Sequence, residues 1–222
     1  MSLPKLVIAN KRYSSWSLRA WLVARHFGIA VEEIAIDLAA PTMKADILKW
    51  SPSGRVPCLI DGEACVWETL AIVEYWAETR PDLAIWPTDR LARAHARAIS
   101  SEMHAGFSAL RNACPMNLRR TFLWKAWGGP ATAADVARIE ALIAEARARF
   151  GAGGRFLYGD FSAADAMYAP VAVRLVGYSW PLAPVTRAWV EAISDLPAFR
   201  VWKAGADAET AIVGDDEIAF TD

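Results

Sequence analysis

The sequence predicts a small α/β domain, in the order βαβ–αββα, followed by an all-α domain built as a helical bundle. Three observations carry this. Over residues 1–80 the hydrophobic period switches repeatedly between that of a strand and that of a helix. Residues 81-PDLAIWPTD-89 then hold two prolines and no clean period, which marks 81–88 as a linker. Over 89–222 no segment reads convincingly as a strand.

Each element follows from its local pattern. The short apolar run 5-KLVIAN-10 reads as a buried strand. From Ser17, apolar Leu18, Trp21 and Leu22 fall at helical spacing, ending near Gly28. The partly alternating, β-branched 31-VEEIAID-37 reads as a second strand. Pro41 and Thr42 open a short helix through Trp50, and 51-SPSGRVP-57 is turn chemistry. Segments 58-CLID-61 and 64-ACVW-67 form a hairpin about Asp61-Gly62. Thr69, Ile72, Val73 and Trp76 stand at i, i+3, i+4 and i+7, so a helix closes the unit. In the second half, long Ala/Arg-rich helices are expected from about Asp89 to Ala113 and from Thr132 to Phe150. Further helices are expected in 162-SAADAMYAPVAVRLVGY-178, Pro184–Asp195 and Pro197–Glu209, with an acidic tail after Lys203 that frays. Ser162 and Asp165 resemble a capping box, and Pro170 should kink the helix it sits in.

Composition narrows the function. The chain has 222 residues, 55% of them hydrophobic and 22% charged, and a net charge of −1. There is no basic excess for nucleic acid, and no apolar run approaches the roughly 18 residues of a membrane span. The N-terminus, MSLPKLVIAN leading into KRYSS, does not look like a signal peptide. Cys58, Cys65 and Cys114 are sparse and odd in number, which argues for a reducing, cytoplasmic setting and against a disulfide framework. There is no CxxC, so a thioredoxin-type dithiol is not expected. His26, His95 and His104 make no ligand spacing, so no metal is expected.

Several segments carry candidate chemistry. In 13-YSSWSLRAWL-22, Ser14, Ser15 and Ser17 surround Trp16 at the start of a helix, where they can cap it or hold a ligand. In 54-GRVPCLIDG-62, a cis Val56-Pro57 bond would leave neighbouring backbone groups free to pair with a ligand, although an ordinary trans proline is the commoner case. Glu68 and Thr69 stand at a strand-to-helix junction. There a helix N-terminus and the Thr69 hydroxyl suit a carboxylate and Glu68 suits an ammonium, unless Thr69 is simply an N-cap. Segment 102-EMHAGFSALR-111 would place His104, Phe107, Ser108 and Arg111 on one helix face, with Met103 in the core.

Taken in order, these motifs resemble the cytosolic glutathione transferases along essentially the whole chain. That family has a thioredoxin-like N-terminal domain and a helical domain that supplies the pocket for the electrophile. The first-helix motif is similar to the serine-type classes, above all the zeta class, whose pattern is Ser-Ser-Cys-x-x-Arg. Trp16 replaces the Cys, Arg19 keeps the Arg, Thr69 stands where the family carries a Ser, and Ser51 where it often carries an Asn.

The resemblance implies glutathione as co-substrate, a small electrophile as second substrate and a homodimer. It gives Ser14 the task of stabilising the thiolate, with Ser15 and the N–H groups of the first helix close by, and puts Tyr13 second. It gives Val56, beside Pro57, the backbone pairing with the cysteinyl unit, Glu68 and Thr69 the γ-glutamyl end, and Arg55 the glycyl carboxylate. Trp16, His104, Phe107 and Arg111 would line the second-substrate pocket. His104 and Arg111 would bind an anionic substrate there, if they are not at a dimer interface or on a solvated face. Arg19 would strengthen the field at the thiol or form a surface salt bridge. The leading expectation is conjugation of glutathione to an electrophile. The alternatives are a zeta-type isomerase acting on a maleyl acid, set second because Trp16 replaces the zeta-class Cys and no paired-arginine anion site is evident, and a non-catalytic binding protein.

Overall fold

The computed structural model describes residues 3–218. The chain begins with β1 (Lys5–Ala9), α1 (Ser15–His26), β2 (Glu32–Ile36), α2 (Met43–Leu48), β3 (Cys58–Asp61), β4 (Ala64–Trp67) and α3 (Thr69–Thr79). The sheet order is β2-β1-β3-β4, with β1 and β2 parallel and the other pairs antiparallel, which is a thioredoxin-like arrangement. Strand alternation divides the core. Leu6, Ile8 and Leu59 face α1 and α3, while Val7 and Cys58 face Ile47 of α2. Burial and the neighbouring Cys65 push the Cys58 thiol up to about 12.

The helical half comprises α4 (Arg90–Ala105), α5 (Ser108–Ala113), α6 (Gly129–Phe150), α7 (Ala163–Gly177), α8 (Pro184–Asp195) and α9 (Pro197–Ala208). The single helix expected over 89–113 is in fact two. Gly106 leaves helical geometry and Phe107 takes a left-handed φ of 56°, so the chain turns between α4 and α5. Helix α7 is the buried centre of this half. Its start is set by Asp165, whose carboxylate accepts bonds from Ser162 N (3.0 Å) and Oγ (3.1 Å), Leu157 N (2.9 Å) and Trp189 Nε1 (3.0 Å). Pro170 lies inside α7, which runs unbroken through it.

Helix α1 is the hinge of the architecture, lying between the sheet and helices α7 and α9. The tail was expected to fray, but through residue 218 it does not. The Glu209 carboxylate accepts from the amides of Lys11 (2.6 Å) and Arg12 (3.0 Å). Buried Arg12 donates to the carbonyls of Ala206, Glu209 and Ala211. Glu217 receives Tyr13 Oη at 2.7 Å, Asn117 Nδ2 at 3.0 Å and Arg120 Nε at 3.1 Å. These bonds pin the loop that feeds α1. Residues 219–222 of the expected tail lie outside the described residues. No helix among the described residues is long and apolar enough to cross a membrane.

Candidate active site

Between the first turn of α1, the β3 entry, the start of α3 and the α4–α5 junction lies a cavity of about 290 Å³. Its walls are Trp16, Arg55, Val56, Pro57, Glu68, His104 and Arg111, each of them a residue the sequence singles out.

The serines at the α1 N-terminus divide their tasks. Ser14 is the N-cap. Its Oγ accepts from Ser17 N at 3.4 Å and donates to Ser17 Oγ at 2.7 Å, which in turn accepts from Ala9 N at 3.0 Å. The Ser15 hydroxyl has no hydrogen-bond partner among the described residues, and Ser15 opens the helix where backbone N–H groups point outward. Neither serine lines the cavity itself; the adjacent Trp16 does. Tyr13 is committed elsewhere, because its hydroxyl donates to Glu217. Burial and that carboxylate raise its pKa.

The Val56-Pro57 bond is cis, against the trans form favoured by frequency. The Val56 N–H and C=O have no partner among the described residues, so a ligand backbone can pair with them. Ser51, in the loop before, is fully buried and its carbonyl accepts from Gly54 N at 3.0 Å.

At the start of α3, Glu68 holds φ 74° and ψ 131°, a costly conformation for a residue with a Cβ. It turns the carboxylate into the cavity, where Oε2 lies 3.6 Å from His104 Nε2. Thr69 departs from expectation: it is fully buried, and its hydroxyl donates to the Trp16 carbonyl at 3.1 Å. It ties α3 to the first turn of α1, so this hydroxyl's proton is already committed, and the N–H groups of the α3 N-terminus are the donors left on that side.

The α4–α5 break changes how the second-substrate residues meet. His104 stands in the last turn of α4 and Arg111 belongs to α5, so the two converge on the cavity from different helices. Phe107 does not line it; it is buried in the core. Trp16 is the centre of this wall. His104 meets its ring edge-on at 5.1 Å, and the guanidinium groups of Arg19 and Arg111 lie 4.2 and 5.7 Å from its centroid.

Arg19 is no surface residue. It is fully buried, donating to the carbonyls of Met167 (2.8 Å) and Ser15 (3.1 Å). Burial first, then the charges of Arg174 and Arg111, push its pKa well down. Arg174 of α7 is a member of this cluster that the sequence reading missed. It donates to the carbonyls of Cys114 (2.9 Å) and Pro170 (3.3 Å), and burial with neighbouring Arg111 lowers it to about 10. Its sequence signal was a lone cation in the apolar run that follows Asp165. Of the three arginines only Arg111 lines the cavity; Arg19 and Arg174 stand behind it, bonded to backbone carbonyls and close enough for their charges to act on one another. Among the described residues none of them, nor Arg55, has a carboxylate within salt-bridge distance. No three His, Cys, Asp or Glu side chains among the described residues come together as a metal site.

Comparison with known proteins is consistent with this layout. Residues 13–79 match the family model of the glutathione S-transferase N-terminal domain, and 129–202 that of the C-terminal domain. The chain is 29% identical to a probable maleylacetoacetate isomerase of Caenorhabditis elegans, over 90% of this chain and 93% of that one. It is 30% identical to the glutathione S-transferase GstB of Escherichia coli K12, over 70% of this chain and 76% of that one. It is 27% identical to a maleylpyruvate isomerase of a Ralstonia species, over 90% of this chain and 100% of that one. Among solved structures, a glutathione transferase homologue from Burkholderia with bound glutathione superposes with a TM-score of 0.69 at 24% identity, over 93% of this chain and 99% of that one.

Proposed function

This chain belongs to the glutathione S-transferase family, and from that premise we propose that it is a glutathione-dependent cis–trans isomerase of a small maleyl-type dicarboxylate, returning glutathione after each turnover. The observation that carries this reading is the cationic wall. Arg111, with buried Arg19 and Arg174 behind it, faces a cavity of about 290 Å³ and has no carboxylate within salt-bridge distance among the described residues, while the cavity's own carboxylate, Glu68, is left for the glutathione ammonium. A neutral electrophile has no use for that field, whereas a dicarboxylate needs it. The relatives named as maleylacetoacetate and maleylpyruvate isomerases, aligned over most of the chain, support the same choice over simple conjugation.

The residues present fit glutathione. Val56 offers the backbone pair for the cysteinyl unit, Arg55 a cation for the glycyl carboxylate, and Glu68 an anion for the γ-glutamyl ammonium. The N–H groups at the start of α3 would meet the γ-glutamyl carboxylate. Bound glutathione would supply a thiolate able to add reversibly to a cis double bond. The chain's part is to keep that sulfur ionised and to hold the substrate's carboxylates. The Ser15 hydroxyl, unpartnered among the described residues beside Trp16, would donate to that sulfur, and the α1 N-terminus would add its field. A charge-assisted bond contributes about 1.5–3 kcal/mol and a helix terminus about 0.3–1 kcal/mol, enough to lower a thiol of pKa about 8.5 by roughly 1.5–3 units. Arg111 and His104 hold the carboxylates and take up the negative charge that develops on them as the sulfur adds.

The experiment is turnover of maleylpyruvate or maleylacetoacetate with substoichiometric glutathione. Loss of the cis substrate beyond the glutathione supplied supports the isomerase. Consumption of one thiol per substrate converted favours conjugation, the second reading, which the match to GstB keeps in play.

A further inference from the structure

Outside the active site, the β3–β4 hairpin and the end of α2 bring two sulfurs and one oxygen together. Cys58 Sγ and Cys65 Sγ lie 3.7 Å apart, and each lies 3.6 Å from the carbonyl oxygen of Trp50. The three donors form a nearly equilateral triangle. Cys58 is buried, Cys65 is exposed, and so the triangle can be reached from solvent. We propose that these three atoms form one face of a tetrahedral site for a thiophilic d¹⁰ cation, zinc or cadmium, with water as the fourth ligand.

The edge lengths carry the argument. With metal–sulfur bonds of about 2.3 Å and a metal–oxygen bond of about 2.1 Å, a tetrahedral ion spans S···S edges of about 3.8 Å and S···O edges of about 3.6 Å. The site needs almost no rearrangement to reach those values. A disulfide is the obvious competitor, and the strand register disfavours it. Cys58 stands opposite Trp67 and Cys65 opposite Ile60, so the cysteines are diagonal neighbours on one face. Diagonal Cα atoms lie about 7–8 Å apart, beyond the roughly 6.8 Å limit for a disulfide. A bridging ion closes the gap that an S–S bond cannot. In the metal-free protein both thiols donate weakly to the Trp50 carbonyl. Binding replaces those two protons with the cation, so two thiols and M²⁺ give a neutral dithiolate complex and two released protons. The sulfur donors select soft or borderline ions over magnesium and calcium.

The test is titration of the full, reduced chain with cadmium chloride, followed by ultraviolet thiolate-to-cadmium absorption, with zinc competition. Cys65→Ser, at an exposed position, is the variant that spares the fold. The expected result is saturation at one equivalent, displacement by zinc, two protons released per ion, and an affinity lower by about 100-fold in Cys65→Ser. No absorption at one equivalent, or an unchanged titration in Cys65→Ser, overturns the proposal. Treatment with diamide is the second arm. Three titratable thiols remaining supports the geometry, and clean loss of two thiols to an intramolecular disulfide contradicts it.

Discussion

Glu68 of the sheet domain and His104 of the helical domain face each other across the cavity, Oε2 to Nε2 at 3.6 Å. In the proposed site the same carboxylate takes the glutathione ammonium, so binding would draw it away from His104. Glu68→Gln keeps the shape and removes the charge. Its glutathione affinity, measured by calorimetry, should fall about 10–100-fold, the equivalent of one charged hydrogen bond. His104→Ala releases Glu68 and should leave that affinity unchanged or a few-fold tighter. Wild-type binding by Glu68→Gln would remove Glu68 from the glutathione site.

The two serines should separate cleanly. Ser15→Ala should raise the pKa of the bound glutathione thiol by about 1–2 units, read by ultraviolet titration, with little change in stability. Ser14→Ala removes the α1 cap and should cost about 0.5–2 kcal/mol in chemical denaturation, with a smaller effect on the thiol. The reverse assignment of effects would make Ser14 the activating hydroxyl.

Arg111→Gln tests the anion wall. It should raise KM for a maleyl dicarboxylate about 10–100-fold while glutathione affinity stays near wild type, because the lost contact is to substrate alone. An equal loss for glutathione would place Arg111 on the wrong ligand.

Asp165 governs the fold's response to acid. Burial pushes its carboxyl up to about 6 against the pull of its four donors, whereas an unfolded Asp titrates near 3.9. The folded state therefore holds a proton that the unfolded chain gives up. This group's titration stabilises the protein fully below about pH 4, and that contribution is lost as pH rises through about 6. Denaturation of wild type against Asp165→Asn across that window should show the slope only in wild type. Asp165→Ala strands the N–H groups of Leu157, Ser162 and Trp189, and should cost more than about 3 kcal/mol.

How much of this was legible beforehand depends on whether a feature is local. The hairpin strands 58–61 and 64–67 match the sequence reading residue for residue, while the turn sits one place later than Asp61-Gly62, at Gly62-Glu63, with Asp61 still paired to Ala64. All seven cavity residues are legible in the sequence: Trp16, Arg55, Val56, Pro57 and Glu68 belong to a helix start, a turn or a strand entry with its own chemical signature, and His104 and Arg111 to one face of an expected helix. The break at Gly106–Phe107 was not visible: 102-EMHAGFSALR-111 keeps helical spacing through it, and a lone glycine is tolerated in helices. Thr69 was given to the ligand because nothing local reveals that the Trp16 carbonyl would claim its hydroxyl. Arg174 and the strapped tail were missed for one reason. Their partners, Cys114 for the first and residues 11–13 for the second, are remote in sequence. The Cys58–Cys65 approach has no CxxC spacing to mark it, although the hairpin register sets the two on one face.

The most direct measurement is the stoichiometry of glutathione during turnover of maleylpyruvate, following substrate by the loss of its cis double bond and free thiol by titration in the same sample. The account predicts many substrate molecules converted per glutathione, with the thiol concentration constant to the end. Thiol falling in step with substrate, or no conversion by a chain that binds glutathione, would contradict it.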